Sequence, residues 1–182
     1  MRYLLPIVLI LSACTSASAT QDEPPAAPTT AMTGAALSDI VRTLDSEAQV
    51  EGNGAIFTLQ ERDMMLVFDE AAGRMRVVTP ILPSALLDED ILIRMAQANY
   101  DAALDARYAI ANDQVWAVFI HPLPSLTEDD FLSGLAQTYT AAETFGTTYS
   151  SGAVVFGGGD TSGIFEDLEK QIEDAKQSRE RI

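Results

Sequence analysis

Ala106-Arg107-Tyr108-Ala109-Ile110-Ala111-Asn112-Asp113-Gln114-Val115-Trp116-Ala117-Val118-Phe119-Ile120-His121 is the stretch on which the fold turns. Asn112 and Asp113 both tolerate positive φ, the backbone that a two-residue turn between antiparallel strands demands. The flanking runs, 106–111 and 114–121, are rich in β-branched and aromatic residues and predict the two strands of a hairpin. In the second run both alternating sets are apolar, Val115/Ala117/Phe119 and Trp116/Val118/Ile120. Helices on one side of a sheet cover only one set, so the other needs a cover of its own. The chain's own helices, a second copy, and a bound client segment are three ways to provide it.

Working outward, apolar residues at helical spacing (Leu37, Ile40, Val41, Leu44) predict a first helix over 37–48, closed by Gly52-Asn53-Gly54. Strands follow at 55–60, 64–69 and 75–82, the last two separated by an Ala72-Gly73 turn. Met64-Met65-Leu66-Val67-Phe68 is apolar on both sides like the tryptophan-bearing run, and methionine adapts to varied partners. A second helix is predicted over 88–103 and a third over 128–145, closed by Gly146. The order is α-βββ-α-ββ-α, an α+β domain with helices packed on an antiparallel sheet. Residues 88–97 and 128–137 match at an offset of 40, each after a strand that leaves through prolines, so two hairpin-plus-helix halves share one sheet.

Asp88-Glu89-Asp90 and Glu128-Asp129-Asp130 are acidic clusters at helix starts. There a carboxylate is stabilised by free amides and the helix dipole, by about 0.3–1 kcal/mol each. Consecutive acids on a helix point in different directions, so three in a row do not converge on one cation. Capping is the expected role, and no metal is expected.

The residues 91–135 resemble the YbjN and type III secretion chaperone-like families. The resemblance lies in a helix ending near Asn99, a strand through Tyr108-Ala109-Ile110, and the Asn112-Asp113 turn. It continues in the apolar strand, the Pro122-Leu123 exit, and Leu126-Thr127-Glu128-Asp129 opening a helix. The element order matches over 37–145. The resemblance implies a small acidic protein, dimeric in the chaperone branch, that holds extended client segments on its sheet and helix surfaces. It carries over no individual site residue.

The N-terminus departs from the cytosolic chaperones. Arg2 and the short apolar stretch 3–11, far below the ~20 residues of a spanning helix, read as a leader. Leu11-Ser12-Ala13-Cys14 resembles the lipobox of bacterial lipoproteins, which implies cleavage before Cys14, acylation of its thiol and firm anchoring by several acyl chains. Thr15 in the next position implies outer-membrane sorting, with the protein facing the periplasm. The expected organisation is therefore a signal peptide at 1–13, the lipidated Cys14 with a Pro/Ser/Thr/Ala linker to 35, and the α+β domain at 36–156. A glycine hinge (Gly157-Gly158-Gly159) and an amphipathic helix with Ile164, Phe165, Leu168, Ile172 and Ala175 on one stripe occupy 157–182. A short strand at 153–156 is expected to lead into that helix.

Charge excludes some functions. The formal charge is −16, from 11 basic and 27 acidic side chains, and residues 36–159 carry 18 acids against 6 arginines. Such a surface repels phosphate backbones, so no nucleic acid is expected as a partner. The single cysteine permits no internal disulfide. His121 is the only histidine and lacks a nucleophile or ligand set in the sequence, Ser150-Ser151-Gly152 is not a nucleophile elbow, and the glycine hinge lacks the lysine of a phosphate loop. The sequence thus indicates a tethered, non-enzymatic protein- or peptide-binding module without a cofactor. Its alternative is a structural subunit whose apolar sheet face is a permanent oligomer interface. Trp116, Val118, Ile120, Met65 and Val67 are the candidate binding or dimer face.

Overall fold

A computed structural model of the chain describes residues 31–149, together with Asp167, Lys170, Gln171, Glu173, Asp174 and Gln177. The leader, Cys14, the linker, the strand expected at 153–156 and the glycine hinge lie outside the described residues. The six described residues beyond 149 are helical and exposed, as the sequence anticipates for the polar side of a terminal helix.

Helix α1 spans Gly34–Leu44, and its start is fixed by Thr33, whose hydroxyl accepts from the Ala36 amide at 3.1 Å. It buries Leu37 and Val41. It stops four residues short of the expected end because Asp45 turns the chain: one carboxylate oxygen accepts from Glu47 N and the other from Thr58 N, each at 2.8 Å. Beyond the turn, β1 (Gln49–Glu51) is a short edge strand, in an interval that the sequence reading left unassigned between the helix and Gly52.

Strands β2 (Gly54–Leu59), β3 (Arg62–Asp69), β4 (Arg74–Pro83), β5 (Arg107–Ala111) and β6 (Gln114–Pro122) complete one sheet in the order β1-β2-β3-β4-β6-β5. Every neighbouring pair is antiparallel. The β5–β6 turn has Asn112 and Asp113 at φ of 50° and 58°, the left-handed pair read from the sequence. Gln60 and Glu61 adopt the same conformation at 45° and 69°, so the β2–β3 ladder runs to its very end at Leu59↔Arg62.

Helices α2 (Glu89–Asp101) and α3 (Glu128–Glu143) each follow a strand, a proline and one 3₁₀ turn. Asp88 caps α2 through Ile91 N at 2.8 Å. Thr127 and Asp130 cap α3 reciprocally, in a capping box. The two caps, Asp88 and Thr127, are 39 residues apart rather than the 40 of the sequence match. The buried side chains keep the spacing of 40, Met95 matching Leu135 and Ala98 matching Thr138. The repeat is therefore one of packing, while α3 begins its turn one residue earlier.

Helix α3 lies across β4, β6 and β5 and is the most deeply buried of the three, with Phe131, Leu135, Thr138 and Ala141 all at 1% exposure or less. Gly134 permits the approach: a Cβ there would sit 2.4 Å from the Phe119 ring. Two clusters result. Leu37, Phe57, Met64, Leu66, Val77, Phe119 and Phe131 fill the larger, and Met95, Tyr108, Val115, Ala117 and Tyr149 fill the smaller, beneath α2.

Candidate functional site

The strand registers decide which alternating set each strand gives to the helices. In β6 the buried set is Val115, Ala117 and Phe119, none above 3% exposure. In β3 it is Met64, Leu66 and Phe68, and in β4 it is Met75, Val77 and Thr79. The remaining residues stand on the opposite side of the sheet, where none of α1, α2 and α3 packs.

On that side the pairing aligns them into rows. One row runs Gln49, Ile56, Met65, Val78, Val118, Arg107 across all six strands. The next row runs Glu51, Gly54, Val67, Arg76, Ile120. On the other flank Pro80, Trp116 and Ala109 are paired in register. All five residues singled out from the sequence (Met65, Val67, Trp116, Val118 and Ile120) therefore share one surface. Ile56, Val67 and Ile120 are about half exposed, at 53%, 48% and 51%, and Met65, Val78, Trp116 and Val118 are partly buried.

The sequence reading omitted Ile56, Val78 and Pro80, which join the five into one patch. Val77-Val78 carried the signal, two adjacent apolar residues that a strand must point to opposite sides. Trp116 is held in place at one end of the patch, where its indole Nε1 donates to Ala111 O at 2.9 Å beside the hairpin turn. Arg76 interrupts the apolar surface between Val67 and Ile120, and Arg74 stands next along the same strand and side. An open face of this size, apolar with a cation set into it, suits an amphipathic partner that brings both apolar side chains and a carboxylate.

A second apolar surface was not anticipated. Leu86, Leu92, Ile93 and Tyr100 are exposed on and before α2, Tyr100 at 93%. Ile91-Leu92-Ile93 gave a sequence clue, since three consecutive helical residues spaced 100° apart do not all reach one core.

The polar concavities serve the fold. A cleft of about 480 Å³ at the β2–β3 turn is lined by Gln60, Arg62, Tyr139 and Glu143. Arg62 closes it by pairing with Glu143 and donating to Pro80 O at 3.2 Å. A smaller one, about 250 Å³, lies beside His121, Asp130 and Gln137. Gln137 is engaged on both ends of its amide: Oε1 accepts from Asp105 N and Ala106 N, and Nε2 donates to Ser133 Oγ. His121 stacks on Phe119 with ring centroids 5.9 Å apart, and its Nδ1 lies 2.8 Å from Pro122 O. Among the described residues no group of three or more His, Cys, Asp or Glu side chains is arranged to hold a metal ion, and no helix is long and apolar enough to cross a membrane.

Titration behaviour marks three structural groups, one of them Tyr139, whose phenol is held above its ordinary value by burial. Burial pushes the Tyr108 phenol up to about 12, and its hydroxyl donates to Ala141 O at 2.8 Å. The Thr127 hydroxyl, and then its backbone amide, hold the Asp130 carboxyl below the ordinary aspartate value.

These features define an α+β domain with a one-sided antiparallel sheet, its uncovered side largely apolar. No family model matches the chain, and no curated protein does. Among solved structures it is similar to one of a HopA1–SchA chaperone–effector complex, at 14% identity over 60% of this chain and 88% of that one, with a TM-score of 0.47. It is similar to one of an ExsC–ExsE complex at 17% identity, over 58% and 90% of the two chains, with a TM-score of 0.45. The Yersinia pestis type III secretion chaperone SycH, solved with a stable fragment of YscM2, gives 14% identity over 59% and 98%, with a TM-score of 0.44.

Proposed function

We propose that this protein is a non-enzymatic, membrane-tethered module of the bacterial cell envelope that binds protein segments, in the manner of a chaperone, on the open face of its sheet. The observation that carries the reading is the apolar surface of Ile56, Met65, Val67, Val78, Trp116, Val118 and Ile120, which α1, α2 and α3 leave uncovered. Burial of such a surface by a partner stabilises the complex at roughly 25 cal/mol per Å² of apolar area before ordering costs. The tether is Cys14, supported by the Leu11-Ser12-Ala13-Cys14 sequence, and it places the domain on the periplasmic side of the outer membrane.

The test is capture of extended apolar peptides, measured by emission of the lone tryptophan and by pull-down. Ile120→Asp, at a half-exposed position, and Trp116→Asp are expected to weaken capture at least about tenfold, which is 1.4 kcal/mol, with an unchanged far-ultraviolet spectrum. Undiminished capture by both folded variants removes the face as the binding site. A second reading, a structural subunit of an envelope assembly, is favoured by the exposed α2 surface of Leu86, Ile93 and Tyr100. It is distinguished by a stable oligomer that Tyr100→Asp dissociates.

A further inference from the structure

We infer that the resting occupant of the open sheet face is the chain's own C-terminal amphipathic segment, residues 163–179, which a bound client must displace. The inference rests on the face being a binding surface, and four observations point to this occupant.

The segment is built for it. Placed 100° apart, Ile164, Phe165, Leu168, Ile172 and Ala175 fall on one stripe. Asp167, Lys170, Gln171, Glu173, Asp174 and Gln177, which are helical and exposed, all fall outside that stripe. The described residues of the segment are thus polar and exposed, and the sequence sets its apolar residues apart from them.

The dimensions agree. Seventeen residues of helix are about 25 Å long, close to the width of six strands at about 4.8 Å each. The connection is sufficient. Tyr149 lies in the smaller core cluster, with its ring centroid 6.0 Å from that of Tyr108 on β5, an edge strand of the sheet. The thirteen residues from 150 to 162 average about 20 Å end to end as a flexible coil and reach about 45 Å extended, enough to round that one edge.

The charges are complementary. Two of the six arginines between 36 and 159 (Arg74 and Arg76) stand on the open side of the sheet. Arg76 forms no ion pair among the described residues. Asp167 and Glu169 flank the apolar stripe of the segment and bring carboxylates to that surface. A second copy meets the face less well, because a two-fold contact sets Arg76 toward its own mate and presses together chains of charge −16. Tethering adds an effective concentration in the millimolar range, which a free partner must overcome.

The test uses the full-length chain in lipid vesicles. Val78→Cys is combined with Leu168→Cys on the stripe, or with Glu173→Cys on the exposed polar side, and treated with a short bis-maleimide. Intrachain linkage of the Val78/Leu168 pair several-fold above the Val78/Glu173 pair is expected. Equal yields, or linkage only between chains, overturn the inference. In parallel, Leu168→Asp with Ile172→Asp is expected to shift Trp116 emission to longer wavelength. The same change tightens apparent peptide affinity, by about tenfold for a face closed nine-tenths of the time. Unchanged emission and affinity overturn it. The outcomes also separate the two proposals. Trp116-dependent peptide capture without stripe-selective linkage leaves the binding function standing and removes the occupant. Stripe-selective linkage without peptide capture does the reverse.

Discussion

Gly134→Ala is the substitution that most directly tests which side of β6 the helices cover. In an ordinary helix interior the change stabilises by about 1 kcal/mol, because glycine is the costlier residue there. Here the new methyl would lie 2.4 Å from both Cδ1 and Cε1 of Phe119 and 2.8 Å from Cγ. A clash that reaches Cγ is not relieved by turning the ring about its own axis, so the side chain must move bodily. Phe119 is 3% exposed and stacked on His121, which leaves it little room. Overpacking of this kind costs about 1–3 kcal/mol, and a loss of up to about 2 kcal/mol remains after the helix gain. That is a measurable part of a total stability of about 5–15 kcal/mol. The assay is urea unfolding followed by circular dichroism, on protein lacking residues 1–20, in the native and Phe119→Ala backgrounds. Gly134→Ala is expected to destabilise the first and stabilise the second by up to about 1 kcal/mol, a reversal of sign that reports direct contact. If it stabilises both equally, α3 does not rest on Phe119, and the assignment of Trp116 and Ile120 to an uncovered side fails with it.

Other outcomes follow from the α3 cap, the buried Tyr108 phenol and the N-terminal sequence. Thr127→Ala removes the capping box and is expected to cost about 1 kcal/mol at neutral pH. Because Thr127 holds the Asp130 carboxyl below its ordinary value, that contribution is present at neutral pH and lost as acidification protonates Asp130, below about pH 4. The gap between variant and parent should therefore narrow in acid unfolding curves, leaving the part due to the Asp130 N to Thr127 Oγ bond. Tyr108→Phe loses the hydrogen bond to Ala141 O, for about 1 kcal/mol. The raised phenol pKa contributes stability that is fully present below pH 10 and lost as pH rises to about 12, so the parent should show a larger base-induced loss of stability, tracked by phenolate absorbance, than the variant, which keeps the raised Tyr139 phenol. Cys14→Ala is expected to release the protein from the membrane fraction, scored by fractionation and metabolic labelling with palmitate.

Much of the architecture was legible because local and tertiary preferences agree. Asn112-Asp113 specified its turn, the spacing of Leu37, Val41 and Leu44 specified a helix, and the acids at 88–90 and 128–130 marked two helix starts. Strand β1 escaped because three residues carry no periodicity. What defines them is Asp45 reaching across to Thr58 N, a contact thirteen residues away. The Gln60–Glu61 turn escaped because both residues take a backbone usually left to glycine or asparagine. The apolar face was half legible. Alternation in 64–68 and 115–120 showed that both sides of two strands were apolar, and so named residues that the structure brings together. Which side met water depended on Gly134 admitting a helix against Phe119, a fit between segments far apart in sequence.

The rims of the sheet limit how copies of the chain can join. An exposed ladder of unpaired backbone groups can recruit the strand of the next molecule. Strand β1 offers three residues ending in Glu51, and β5 offers five beginning with Arg107. Short, charge-marked borders of this kind disfavour strand-by-strand growth. Crowded copies therefore need not seed filaments, even with an apolar middle to the same sheet.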